Sequence, residues 1–142
     1  MKHLHGKGFT LVELLIVVAI IGIMSSVIVG ALNTARGKAG NAAIKSDLNN
    51  VRSQAELIYD QNNGIYGVGL CGDAKVRAGL DDAGIKSSGN AASAVCFSDN
   101  YSWIAQSPLK VPDSSGNTYW CVDNGGVARG ETVALTALGT CP

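Results

Sequence analysis

Apolar residues crowd one end of this chain and then thin into two different rhythms. From Phe9 to Leu32 there are 24 residues with a single charge, Glu13, and from Leu14 to Leu32 there are 19 with none. Such a run is long enough to cross a hydrocarbon core of ~30 Å as a helix. From Asn33 to about Asp60 the pattern turns amphipathic. Ile44, Leu48, Val51, Ala55 and Ile58 fall on one helical stripe, while Lys45, Asp47, Arg52 and Glu56 lie off it. Gly37 and Gly40 predict a soft junction between the two stretches, and Gly30 some local loosening. Asn62-Asn63-Gly64 reads as a glycine-type helix stop. A continuous helix from Thr10 to Asp60 would be a rod of ~75 Å. The stretch Ile65 to Asn100, rich in Gly, Ala, Ser and Asp, reads as a connection with one short helix around Ala74 to Ala83. Strand-like runs follow at Tyr101 to Ala105, Thr118 to Asp123 and Val127 to about Ala134. Asn124-Gly125 between the last two is a hairpin signal that demands positive φ. The expectation is an α+β fold, a small antiparallel sheet laid on the second half of a long N-terminal helix.

What precedes the apolar run gives it meaning. Met1 to Gly8 is short and cationic through Lys2 and Lys7, and the positive-inside rule would keep it in the cytoplasm. A secretory signal would place a small-residue cleavage site after the apolar stretch, and Ser25-Ser26 or Gly30-Ala31 could pass for one. Glu13 argues against that reading and against a plain anchor. An unpaired carboxylate in a spanning helix is costly, and neither secretion nor anchoring needs one. The segment from Gly8 to Ile23, G-F-T-L-V-E-L-L-I-V-V-A-I-I-G-I, resembles the N-terminal signature of the type IV pilin and pseudopilin family at essentially every position.

The resemblance implies a division into leader (1–8), membrane or filament-core helix (9–32), amphipathic helix (33–60) and globular head (61–142). It implies that a prepilin peptidase cuts between Gly8 and Phe9 and methylates the new amine on Phe9. Thr10 and Glu13 match the positions that register an incoming subunit, the Glu13 carboxylate pairing with a neighbour's Phe9 amine. Pairing offsets much of the cost of placing each charge in a dry core. The implied partners are further copies of the chain in a helical homopolymer, the peptidase, a membrane-bound assembly machine and, before assembly, the lipid bilayer. The prepilin would be a single-pass membrane protein with its head outside the cytoplasm, and the product an extracellular filament. Two other readings stay open: a pseudopilin of a type II secretion system, and a minor tip pilin that binds a surface or DNA.

Composition adds to this in two places. Removing Lys2 and Lys7 leaves nine basic against eleven acidic side chains, and no basic stripe is visible, so nucleic-acid binding would rest on a few local charges. Four cysteines, Cys71, Cys96, Cys121 and Cys141, lie in a head of a size at which a core alone is marginal. Three connectivities are open. Cys121 and Cys141 bracket the last hairpin and tail, a segment poor in large apolar residues, and closing such a loop is worth ~3 kcal/mol in the chain-entropy account. That favours Cys121 with Cys141 and leaves Cys71 with Cys96.

Chemistry done by the chain finds little support. Histidine occurs only at His3 and His5 in the leader, which removes histidine-based catalysis and ligation from the head. Asp81-Asp82 are adjacent and point apart on a helix. Asp113-Ser114-Ser115-Gly116-Asn117 and Asp123-Asn124-Gly125 offer oxygens to calcium, yet read first as turns, and Asn100-Tyr101-Ser102 carries a glycosylation pattern. No cofactor, metal, small-molecule substrate or enzymatic activity is expected. The mature chain should begin at Phe9 with a methylated amine, which intact mass and N-terminal sequencing of membrane material check. A start after Ser26 or Ala31 would mean a secretory signal instead.

Overall fold

A computed structural model describes Gly8–Pro142, so most of the expected leader lies outside the described residues. The chain forms α1 (Leu11–Gln61), α2 (Ala74–Ser88) and strands β1 (Val95–Ser98), β2 (Trp103–Pro108), β3 (Tyr119–Asp123) and β4 (Ala128–Glu131). The class is the α+β expected. Two units divide after Arg36, Met1–Arg36 and Gly37–Pro142, and each is described by itself.

In the first unit, residues Leu11 onward are helical and wholly exposed. Gly30 does not interrupt the helix, and its carbonyl accepts the Thr34 hydroxyl at 3.4 Å. A methyl group placed on Gly22 or Gly30 would meet nothing within 4 Å in the isolated chain.

The second unit is built on the amphipathic stripe of α1. Ile44, Leu48, Val51 and Ala55 are buried, and Ile58 is partly covered at the end of the row. Val76, Leu80 and Ala83 of α2 and Trp103, Ala105 and Val122 of the sheet close over them, with Tyr66 and Leu70 at one end. Asn63 and Gly64 then take left-handed backbone, φ 56° and 80°, and end α1 where the Asn-Asn-Gly signal stands. Gly37 and Gly40 face the loop after β2. A Cβ on Gly37 would lie 2.8 Å from Val111 Cγ1, and one on Gly40 3.2 Å from Lys110 Cβ. They are glycines because the loop after β2 rests against the helix backbone there. Asn41 fixes the same loop. Its amide donates to the Val111 carbonyl at 2.7 Å, and its oxygen accepts the Lys110 and Val111 N–H groups at 2.8 and 3.2 Å.

The sheet is an antiparallel meander in the order β1-β2-β3-β4. Three details depart from the sequence reading. First, α2 continues to Ser88; the Asp73 side chain caps its start through Lys75 N and Val76 N, and Gly89 at φ 81° ends it. Second, β1 emerges from a stretch read as connection. It is four residues long, and its place comes from pairing with β2, as in Cys96 with Ala105 and Phe97 with Ile104. Third, β4 ends at Glu131, and positive φ falls on Gly126 (86°) rather than on Asn124 or Gly125. That is a three-residue loop with its left-handed residue last, a hairpin form that needs glycine there.

β2 is buried on both faces, with Trp103 and Ala105 toward α1 and Ile104 in a second, smaller cluster. That cluster holds Cys121 and Cys141, with Phe97, Val127 and Leu135 against it. The segment after β4 is what covers this face. Gln106, 1% exposed, donates to the Val133 carbonyl at 3.0 Å and accepts Leu135 N–H at 2.8 Å. Asp123, also 1% exposed, accepts Val127 N–H at 3.1 Å and Cys141 N–H at 2.9 Å. Disulfides join Cys71 to Cys96 and Cys121 to Cys141, with Cα separations of 5.7 and 5.8 Å. The first ties the loop before α2 to β1, and the second ties the tail to β3.

Gly84, in the middle of α2, tests how tight this packing is. A Cβ there would lie 2.6 Å from the Ala91 carbonyl oxygen and 2.7 Å from that of Asn90. Helix propensity alone would favour alanine by ~1 kcal/mol. Against backbone oxygens the overpacking cost dominates, and Gly84→Ala should destabilise the head by about 1–3 kcal/mol. Thermal unfolding of the full chain in detergent measures it, and an unchanged or raised Tm would show that the helix can shift to make room.

Candidate functional site

The site begins where α1 begins. Gly8, Phe9 and Thr10 precede the first helical turn and are exposed, Phe9 by 83%. The Gly8-Phe9 peptide therefore stands exposed and outside regular structure. Thr10 and Glu13 then form a reciprocal pair. The Thr10 hydroxyl accepts the Glu13 N–H at 3.3 Å. Glu13 Oε2 accepts both the Thr10 N–H and the Thr10 hydroxyl at 2.8 Å. This is a capping box: threonine serves as cap, and the glutamate three residues on returns to the cap's own N–H. Its sequence mark is Thr-x-x-Glu before an apolar run, on the same two residues that the family resemblance gives to contacts between subunits.

The cap changes what Glu13 costs. The first N–H groups of a helix have no partner within it, and in hydrocarbon each is expensive. Glu13 satisfies one of them and places its charge at the favourable end of the helix dipole. Every in-chain bond of its carboxylate goes to Oε2. Oε1 stays available to a cation from another molecule, so capping and pairing with an outside amine are compatible.

Beyond the cap, residues 14–32 carry no charge, and Ser25 and Ser26 are their only polar side chains. An 18-residue window reaches a mean hydropathy of 2.8, and none of it is buried by the rest of the chain. Large side chains such as Leu11 (81% exposed) and Ile23 (69%) have no cover. A patch of this size on one helix requires lipid or other helices.

Among the grooves of the head, one lies toward each end of its part of α1. One, of about 520 Å³, is lined among others by Ile58, Gln61, Tyr66, Leu70 and Asp73. The Tyr66 hydroxyl donates to Glu56 at 3.0 Å, and burial, reinforced by that carboxylate, pushes its pKa from 10.0 up to about 12. Asp99, one residue before the Asn100 whose carbonyl accepts Tyr66 N–H, accepts Tyr101 N–H, Ser102 N–H and the Ser102 hydroxyl, and the backbone bonds hold its carboxyl below the usual range. The other groove, of about 380 Å³, is lined by Lys38, Asn41, Lys45, Pro112, Asp113 and Ser114. The Lys45 ammonium lies 3.7 Å from the centre of the Trp120 ring. Asp113 takes Ser115 N–H and Asn117 N–H on Oδ1 and the Asn117 amide on Oδ2, and the Asn117 bonds keep its carboxyl low. Asp113 and Asp123 thus spend both oxygens on N–H donors, which is turn and tail chemistry rather than cation ligation. Among the described residues no cluster of three or more His, Cys, Asp or Glu could hold a metal. Asp81 pairs with Arg77 at 2.9 Å along α2.

A capped, uncovered apolar helix on a disulfide-closed head defines a subunit built to bury that helix against something else. Residues 5–29 match the family described as the prokaryotic N-terminal methylation motif. The chain is also 32% identical over 141 residues to the type IV wide pilus major component PilA4 of Thermus thermophilus, covering 97% of this chain and 98% of the relative. No solved structure matches at the same standard. The chain belongs to the type IV pilin family.

Tyr66 gives the head an alkaline limit. Its folded pKa is raised, so its contribution to stability is complete below pH 10 and is lost as pH climbs from 10.0 toward about 12. Denaturant midpoints of the full chain should fall across that window. Tyr66→Phe should flatten the fall; a midpoint equally pH-dependent in the variant would assign it to another group.

Proposed function

We propose that this chain is the structural subunit of a type IV pilus-like filament. It is made as a membrane prepilin, cleaved between Gly8 and Phe9, methylated on the Phe9 amine and polymerised through residues 9–32. The observation that carries this reading is the uncovered apolar helix with its capped Glu13. In the bilayer the helix is covered by lipid. In the filament the same surface meets the same surface on neighbouring copies. The exchange gains little from hydrophobicity, since lipid tails are as apolar as leucine, so close packing and polar contacts decide it. Small residues such as Gly22 and Gly30 admit close approach, and Glu13 Oε1 receives the cationic amine that cleavage creates on the next subunit. A prepilin peptidase and a membrane-bound assembly machine are the partners this requires. The near full-length likeness to a major pilus component supports a major subunit over a tip pilin or a secretion pseudopilin.

Glu13 tests the mechanism. Glu13→Ala removes a charge from lipid and leaves Gly8-Phe9 intact, so insertion and cleavage should persist. Assembly should fall at least tenfold, because the Phe9 cation would then be buried without a partner. Processed subunit in membranes and subunit in sheared filaments are measured from the same cells, with no wild-type copy present. Normal filament yield would show that the pairing is not required. Electron microscopy of sheared filaments, with mass spectrometry of the subunit, identifies the filament itself.

A further inference from the structure

The head is charged unevenly along α1. At its start, Lys38 and Lys45 line the smaller groove together with one carboxylate, Asp113. The Lys110 backbone is held to Asn41 at the same place. At its end, Glu56 and Asp60 close the helix, while Asp73 lines the larger groove and Asp99 stands one residue from Asn100, whose carbonyl accepts Tyr66 N–H at 3.1 Å. Lys75 is beside Asp73. Glu56, Asp73 and Asp99 receive neutral donors from Tyr66, the start of α2 and the Tyr101–Ser102 turn, which fix their positions without cancelling their charge. Among the described residues Asp60 has no ion-pair partner. The acidic end also exposes Val68 by 78% and Tyr101 by 79%. Apolar and tyrosine side chains uncovered among charges have the composition of a contact surface.

We infer that adjacent heads in the filament dock head to tail, the acidic, Val68- and Tyr101-bearing end of one copy seating against the Lys38–Lys45–Lys110 end of the next. The inference rests on the filament-subunit reading and names the surfaces that reading leaves open. Two different, complementary patches on one unit make a heterologous contact, which propagates into a helical array instead of closing into a dimer. Opposite charge also selects register, because sliding one head past another would set like charges together. An anionic lipid surface would satisfy the lysines alone and would leave the acidic, apolar end unexplained.

Geometry supplies the test. Lys38 and Asp60 lie on α1, 22 positions apart, which is ~33 Å along a helix. A carbodiimide, which joins an amine to a carboxylate with no spacer, cannot link them within one chain. Sheared filaments grown from mixed light- and heavy-isotope subunits should yield peptides joining Lys38 or Lys45 to Asp60, with mixed-isotope pairs. Lys38→Glu and Asp60→Lys, both at exposed positions, should each lower filament yield about tenfold by setting like charges together. Combining them should restore most of the yield. Absence of the cross-link from filaments of normal yield, with neither reversal lowering yield, overturns the docking. So does a Lys38→Glu chain that assembles normally. Absence of filaments from the wild-type chain would instead strike the subunit reading itself.

Discussion

An apolar helix that its own chain does not cover constrains everything else in this molecule. Burying a single leucine- or valine-sized side chain is worth roughly 1.5–3 kcal/mol, and the first unit exposes such side chains in almost every turn. Water is therefore closed to the segment, and the choice lies between lipid and other helices. Between those two the hydrophobic effect is nearly indifferent. Small differences then decide, and the polar groups at Thr10 and Glu13 are the largest available. A carboxylate in that position looks like a defect on a hydropathy plot. It becomes a stable arrangement once its second role, capping the helix, is seen, because the alternative in a dry medium is an orphaned backbone donor.

The head meets a different difficulty: it is small, and its sheet has two faces to hide. One face is covered by α1 and α2 in the ordinary way. The other has no helix to cover it, and an irregular segment does the work through side chains that imitate backbone. Gln106 bonds the tail as a neighbouring strand would, accepting at one atom and donating at the other. Asn41 does the same on α1 for the loop after β2. Buried amides of this kind are stabilising only when every atom is satisfied, which ties each of them to one chain path.

The long helix, its stop at Asn62-Asn63-Gly64 and the stripe from Ile44 to Ile58 were legible in the sequence, since each depends on local spacing. The hairpin between β3 and β4 was legible in place but not in form, because which glycine turns left-handed depends on loop length. β1 was hidden, since four residues of moderate strand preference are held by their neighbour rather than by themselves. The roles of Gly37 and Gly40 were hidden for a related reason. A glycine that admits a loop 70 positions away looks, along the chain, like one that loosens a helix. At the candidate site, Thr10 and Glu13 stood out only through the family resemblance, which gave them to contacts between subunits, whereas their bond to each other is a local helix cap. Gln106 and Asp123 could not be found from sequence, because their partners lie across the sheet in a segment without periodicity.

The tail has a consequence for durability. Between the end of β4 at Glu131 and the disulfide at Cys141 the chain has no regular structure, and most of it is exposed, as a protease would want. Cutting it once, however, produces no loose fragment. The upstream piece stays in the sheet, and the downstream piece stays covalently bound to β3 and hydrogen-bonded to Asp123 and Arg129. A head of this design can be nicked on its most accessible side and keep its mass and outline.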